Sequence, residues 1–177
     1  MGREVRVPAS KPLRIVSLVP SQTELLCDLG LDEEVVGITK FCVHPAHWKK
    51  QKTLVGGTKQ FRFEVIDELN PDLILGNKEE NYREGIETLA QKYPVWMSDI
   101  VTMNDALNMI RAVGELCEKP EVSKNMVEQI SNGLHTIEAT HPGKAVYLIW
   151  RNPYMAAGTE TFIHEVMKLA GLENKVT

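Results

Sequence analysis

A short apolar run that passes directly into a helix pattern restricts the fold of this chain more than any other feature. Residues 14–19 read RIVSLV, an apolar, β-branched run that predicts a buried strand. Pro20 follows at once, and the S-x-x-E spacing of Ser21 and Glu24 is typical of a capping box at a helix start. Gly30 stands where a helix-ending glycine is expected. A strand therefore turns tightly into a helix.

The same alternation of strands and helices continues as far as residue 98. Strands are predicted at 34–38, 53–57, 72–76 and 94–98, and helices at 63–69 and 82–93. This order is typical of an α/β fold, a Rossmann-like lobe whose mainly parallel sheet is flanked by helices. Ligands of such sheets bind beyond the carboxyl ends of the strands. We therefore expect the loops that follow these strands to form one binding edge.

The alternation of strands and helices ends after residue 98. A helical pattern then extends from Asn104 to about Thr140 and is interrupted only by Pro120. Proline is excluded from helix interiors but accepted in a first turn. The segment is therefore either two helices that meet near Glu118 and Lys119 or one kinked helix. A buried strand at 145–150 and a helix at 159–171 are predicted after it.

These patterns divide the chain into three parts. We predict an N-terminal α/β lobe over residues 1–103, an inter-lobe helix over residues 104–141, and the beginning of a second, incomplete α/β lobe over residues 142–177.

Composition excludes several classes of function. A net charge of −4 and the lack of a basic patch with interleaved aromatics argue against nucleic-acid binding. No apolar run approaches the roughly 20 residues that span a bilayer. The three cysteines, Cys27, Cys42 and Cys117, are predicted to be free thiols. Residues 1–12 lack the pattern of a secretory leader, so we expect either a cytoplasmic protein or a chain that starts after a removed leader.

The loop KFCVHPAHW, residues 40–48, concentrates reactive side chains at the predicted binding edge. Cys42, His44 and His47 provide half of a zinc site, or a thiol with a neighbouring base, or a loop that contacts a ligand. The reactivity of Cys42 is left open. No glycine-rich phosphate-binding motif occurs, which excludes the simplest nucleotide-binding enzymes.

Three segments carry a resemblance: RIVSLVPSQTEL, VGGTKQFRFEVIDELNPDLIL and VYLIWRNPYMAAGTETF. Together they resemble the helical-backbone (class III) periplasmic binding proteins, the substrate-binding components of ABC importers for cobalamin, iron-siderophores and haem. The resemblance implies two α/β lobes joined by a long helix, a ligand in the cleft between them, no catalytic residues and no intrinsic cofactor. The family's second lobe is longer than residues 142–177, so we expect a truncated chain or a homodimer.

The resemblance also implies which residues bind the ligand. On the first lobe they are Pro20, Ser21, Phe41, His44, Pro45, Gly57, Thr58 and Lys78, and on the second they are Arg151, Asn152 and Tyr154. Cobalamin-binding members have an aromatic residue where this chain has His44. A neutral imidazole is an axial ligand for cobalt or iron, so His44 is the predicted metal contact.

The family implies partners as well. An ABC permease and its ATPase are expected, with Glu80 and Glu84 as the acidic residues that dock the permease, in the periplasm or cell envelope. Two alternatives remain open. One is a zinc or manganese receptor of the same superfamily, and the other is a cytoplasmic regulatory or interaction module on the same fold.

Overall fold

The computed structural model describes residues 13–138 and 142–176, and the chain forms two compact units. The first unit is Met1–Asp99 and the second is Ile100–Thr177. The division lies slightly before the boundary at residue 103 that the sequence predicted. The predicted inter-lobe segment belongs to the second unit.

The first unit contains the predicted α/β lobe. Its strands are β1 (Ile15–Ser17), β2 (Val35–Ile38), β3 (Thr53–Leu54), β4 (Gly56–Gly57), β5 (Gln60–Phe61), β6 (Leu73–Asn77) and β7 (Val95–Ser98). Its helices are α1 (Pro20–Asp28), α2 (Trp48–Gln51), α3 (Phe63–Leu69) and α4 (Arg83–Leu89). Five strands form one parallel sheet in the order β3-β2-β1-β6-β7, and β4 and β5 form a separate antiparallel pair. The single strand predicted at 53–57 is therefore divided between β3 and β4.

The central strands explain why their sequences are continuous apolar runs. β1 and β6 each have neighbours on both sides and contribute fully buried side chains, among them Val16 and Ile74. These residues pack with Leu18, Val55, Phe61, Ile66, Ile86 and Leu89 in one core cluster. A strand that helices cover on both faces has no solvent side, so alternation of polar and apolar residues is lost.

The start of α1 differs from the prediction. Val19 is the N-cap residue and Pro20 is the first helical residue, while no side chain caps the helix. Ser21 therefore lies inside the first turn and makes no capping box with Glu24. Proline suits this position because it has no N–H that needs a partner. The predicted helix end is confirmed, since Gly30 has a φ of +73° and its N–H donates to Cys27 O.

The second unit begins with two helices, α5 (Met103–Leu116) and α6 (Pro120–His135). The two-helix alternative is confirmed, because Pro120 starts a new helix. The inter-lobe role of residues 104–141 stays a prediction. Glu118, with a φ of +57°, lies in the connection. Residues 139–141 are outside the described part of the chain.

Strands β8 (Gly143–Ala145), β9 (Leu148–Trp150), β10 (Met155–Ala156) and β11 (Leu172–Asn174) complete this unit with helix α7 (Phe162–Leu169). β8 pairs in parallel with β11, and β9 pairs antiparallel with β10. The buried strand predicted at 145–150 is wrong: it is two strands, and all of β9 is exposed, Trp150 included. None of the described helices is long and apolar enough to cross a membrane.

A glycine allows α5 and α6 to approach closely. A Cβ atom on Gly114 would lie 2.1 Å from Ser123 Oγ and 2.3 Å from Ser123 Cβ. We predict that Gly114→Ala lowers the free energy of unfolding by about 2 kcal/mol because the two helices must separate. Urea unfolding followed by circular dichroism measures the change.

Two further variants make this prediction specific. Gly133 also lies in a helix, but nothing lies within 4 Å of its added Cβ, so Gly133→Ala should stabilise the protein by about 0.5 kcal/mol. Adding Ser123→Gly to Gly114→Ala should restore part of the lost stability. Equal effects of the two alanine variants would contradict this packing.

The start of α5 provides a pH-dependent test. The Asp105 carboxylate accepts hydrogen bonds from Thr102 Oγ1 at 2.7 Å and Thr102 N at 2.8 Å, and these bonds lower the pKa of Asp105. A lowered pKa stabilises the fold above the unfolded-state pKa, and this contribution is lost as pH falls through the folded-state pKa. We predict that Asp105→Asn is less stable than the native protein at about pH 7 and that the difference shrinks at about pH 3. A difference that is constant with pH in urea unfolding would refute this.

Candidate functional site in the first unit

The carboxyl ends of the parallel strands bring several loops to one edge of the first unit. We call the segments 18–21, 39–47, 56–58 and 77–81 the rim. They follow β1, β2, β3 and β6, whose parallel pairing places the four strand ends on the same side. This is the arrangement that the sequence predicted for the binding edge.

The buried side chain of Asn81 ties three of these segments together. Its Oδ1 accepts from Asn77 N at 2.9 Å, and its Nδ2 donates to Thr58 O at 3.0 Å and to Leu18 O at 3.4 Å. One carboxamide thus links the ends of β1 and β6 with the hairpin of β4 and β5.

Gln22 and Ser98 extend this network towards β7. Gln22 Nε2 donates to Ser98 Oγ at 2.8 Å and to Gly76 O at 3.0 Å, and Asn77 Nδ2 donates to Ser98 Oγ at 3.0 Å. Both Gln22 and Ser98 are buried. The sequence interpretation missed Gln22, Asn81 and Ser98. The sequence feature that could have revealed them is the position of these carboxamide and hydroxyl residues directly beside apolar strands.

The 40–48 loop is anchored from inside by Cys42. This thiol is fully buried, and its Sγ lies 3.1 Å from Thr23 Oγ1 and 3.2 Å from Thr39 Oγ1. Its function in the structure is to attach the loop to α1 and to the end of β2.

The far end of the loop is anchored by Asp32. Its Oδ1 accepts from the indole Nε1 of the fully buried Trp48 at 2.7 Å and lies 3.3 Å from His47 Nε2. The hydrogen bond from Trp48, followed by that from His47, lowers the pKa of Asp32. Cys42, His44 and His47 thus have different surroundings. Within 13–138 and 142–176, no group of three or more histidine, cysteine and acidic side chains could hold a metal ion.

The loop presents two side chains to solvent, Phe41 directly before the Cys42 anchor and His44 between the two anchors. The Phe41 side chain is 51% exposed, and its ring lies over Gly57, where an added Cβ would be 3.2 Å from Cε2. His44 is exposed and Pro45 is half-buried, with a cis peptide bond between them. The structure therefore places Phe41 and Gly57 in contact and leaves the His44 imidazole accessible.

The other predicted site residues of this unit have varied environments. Pro20 and Ser21 lie in the first turn of α1, half-buried and exposed respectively, and Thr58 is buried. The Lys78 ammonium binds the Asp99 carboxylate, and this hydrogen-bonded pair raises the pKa of Lys78. The ammonium must therefore leave Asp99, or share it, to contact a ligand.

The predicted docking residues are accessible. Glu80 and Glu84 are exposed, the first in the loop after β6 and the second in the first turn of α4.

In the second unit, the predicted residues share the loop between β9 and β10. Arg151, Asn152 and Tyr154 are all exposed, and Tyr154 has 69% of its surface accessible. Asn152 adopts a φ of +66° and precedes a cis bond to Pro153. The loop therefore offers a cation, an amide and a phenol to solvent.

Comparison with known proteins relates this arrangement to a family of binding proteins. The vitamin B12-binding protein of Yersinia pestis (strain Pestoides F) is 26% identical over 173 residues, which cover 95% of this chain and 61% of that protein. The chain thus spans about three fifths of the length of the curated relatives that it matches.

Solved structures share the fold. The periplasmic vitamin B12 binding protein BtuF of Vibrio cholerae superposes with a TM-score of 0.80 at 24% identity, covering 92% of this chain and 66% of that one. A periplasmic heme binding protein from Pseudomonas aeruginosa gives a TM-score of 0.82 at 22% identity, covering 94% and 64%. The family profile described as periplasmic binding protein matches residues 15–176, nearly all of the chain. The resemblance found in the sequence is confirmed, and the chain belongs to the periplasmic binding protein family.

Proposed function

We propose that the chain is the solute-binding component of an ABC-type importer and that it binds a metal chelate, namely a corrinoid, a ferric siderophore or haem. The observation that carries this proposal is the rim, where buried carboxamides hold several loops together while Phe41 and His44 face solvent. The names of the relatives support it, since they are vitamin B12, haem and siderophore binding proteins. In this proposal the chain binds its ligand and catalyses no reaction.

The rim is suited to binding because its loops are fixed before a ligand arrives. Asn81 and Gln22 satisfy backbone groups at the strand ends, so the loops lose little further freedom on binding. Preorganisation of this kind improves affinity by lowering the ordering cost of association.

Each predicted site residue has a distinct role in this proposal. The Phe41 ring provides an apolar surface for a macrocycle or an aromatic chelator, and the His44 imidazole is the axial ligand for cobalt or iron. Pro20, Ser21, Pro45, Gly57 and Thr58 form the surrounding wall, and Lys78 exchanges Asp99 for an anionic group of the ligand. On the second unit, Arg151 pairs with a carboxylate or phosphate, Asn152 donates hydrogen bonds, and Tyr154 stacks on the ligand or binds ferric iron.

The proposed partners are a permease and its ATPase, reached in the periplasm or cell envelope. One solved structure of this fold is an ABC transporter substrate-binding protein from Listeria monocytogenes EGD-e, which supports this class of partner. Glu80 and Glu84 would dock basic side chains of the permease, and both carboxylates are exposed. The homodimer, the zinc or manganese receptor and the cytoplasmic module stay predictions from sequence.

Optical titration tests the proposal. Cyanocobalamin, aquocobalamin and haemin are added to the full chain while the absorbance bands and the melting temperature are recorded. We predict a band shift and a raised melting temperature with at least one of them, because bound ligand stabilises the native state by mass action. His44→Ala should weaken that binding by about tenfold and abolish the band shift that reports a new axial ligand.

The matched control is His135→Ala. His135 is an exposed histidine at the end of α6, outside the proposed site, so its replacement should leave affinity unchanged. The absence of any spectral change and of any thermal shift with all three ligands would overturn the proposal.

A further inference from the structure

A cavity with two basic residues at its edge lies beside the rim, and neither residue was among the predicted binding residues. The cavity has a volume of about 390 Å³ and extends along β3 and the hairpin of β4 and β5. Its walls include Lys40, Leu54, Gly56, Gln60, Phe61 and Arg62. Phe61 is buried, and Lys40, Gln60 and Arg62 are exposed, so an apolar floor is bordered by polar groups.

The two cations of this cavity have no ion-pair partner in the part of the chain that the structure describes. Neither the Lys40 ammonium nor the Arg62 guanidinium forms an ion pair with a carboxylate of the described ranges 13–138 and 142–176. Other basic residues of the same unit do, among them Lys78 with Asp99 and Lys92 with Asp67. Two cations without an ion-pair partner among the described residues, placed at one cavity, attract an anion.

The backbone holds these two residues on either side of one glycine. Lys40 N donates to Gly56 O at 2.9 Å, and an added Cβ on Gly56 would lie 3.1 Å from Arg62 N. Gly56 has a φ of +109°, and the same added Cβ would lie 2.4 Å from Gln60 O, so the hairpin requires glycine here. The positions from which the two side chains extend are therefore fixed by the fold.

The cavity is continuous with the proposed ligand surface. Gly57 belongs to both, and an added Cβ there would lie 3.2 Å from Phe41 Cε2 and 3.5 Å from Lys40 Cε. The Lys40 ammonium lies 5.2 Å from the centroid of the Phe41 ring. A ligand that rests on Phe41 is thus within reach of the cationic edge.

We infer that Lys40 and Arg62 bind the anionic groups of the ligand and that the chain therefore selects negatively charged metal chelates over corrinoids without net charge. This inference rests on the proposed function. The recognised chemistry is an oxyanion, either the carboxylates of haem or the carboxylate or catecholate oxygens of a ferric siderophore. Guanidinium and ammonium groups form short, charge-assisted hydrogen bonds with such oxygens.

Calorimetric titration of the full chain with three ligands tests the inference. Haemin and a ferric tris-catecholate represent the two sources of anionic oxygens, and cyanocobalamin represents a chelate without net charge. We expect at least one anionic chelate to bind about tenfold or more tightly than cyanocobalamin. Its affinity should fall as salt is raised, because screening weakens exposed charge pairs.

Variants test whether the two cations cause that selectivity. Lys40→Gln and Arg62→Gln should each lower the affinity for the anionic chelate by about fivefold to tenfold. In the double variant, this affinity should lose most of its dependence on salt. Arg62→Lys should retain most of the affinity. Lys49→Gln, on the exposed surface of α2, is the matched control and should change nothing.

The outcomes separate the two proposals. If the double variant binds the anionic chelate as tightly as the native chain, the inference is wrong. If native chain and double variant bind cyanocobalamin as tightly as the anionic chelates, the inference is wrong and the proposed function stands. If the native chain binds none of the three, the proposed function is wrong and the inference falls with it. A folded double variant is verified by an unchanged circular dichroism spectrum.

Discussion

The rim depends on the hydrogen bonds that the Asn81 carboxamide makes. The carboxamide satisfies the Asn77 N–H and the Thr58 carbonyl, two backbone groups that belong to segments separated by a full strand and helix. A buried backbone group without a partner costs about 1 to 3 kcal/mol, so removing this side chain would affect the loop geometry as well as the local contacts. The edge is therefore a property of the folded sheet rather than of any single loop.

The 40–48 loop combines buried anchor residues with exposed ones. Cys42 and Trp48 are fully buried and attach its two ends, through Thr23 and Thr39 at one end and Asp32 at the other. Residues between them are free to face solvent. The reactive residue types that first suggested a metal or catalytic site are thus divided into anchors that hold the loop and exposed groups available to a ligand.

The sequence predicted the sheet well because each of its signals is local. The helix over 63–69 matches α3, and the strands at 72–76 and 94–98 match β6 and β7 to within a residue. A burial pattern and a turn residue lie next to each other in the chain, so periodicity is enough to detect them. The capping box at Ser21 was wrong because the helix starts two residues earlier, with Val19 as the N-cap residue and Pro20 as the first helical residue.

The hydrogen bonds of the rim could not be predicted from local periodicity. Asn81 Nδ2 reaches Leu18 O across 63 positions of sequence, and Gln22 Nε2 reaches Ser98 Oγ across 76. No spacing rule connects residues so far apart, since the fold alone brings them together. The strand at 145–150 failed for a related reason, because an apolar run indicates burial only when another layer covers it, and β9 is exposed.

The most direct measurement of this account is a crystal structure of the chain with a bound anionic ferric chelate. We predict that the chelator lies over Phe41, that its metal faces His44, that its oxyanions lie near Lys40 and Arg62, and that the Asn81 hydrogen bonds are unchanged. A ligand bound away from these residues, or a rim whose strand-end hydrogen bonds have rearranged around it, would contradict the account.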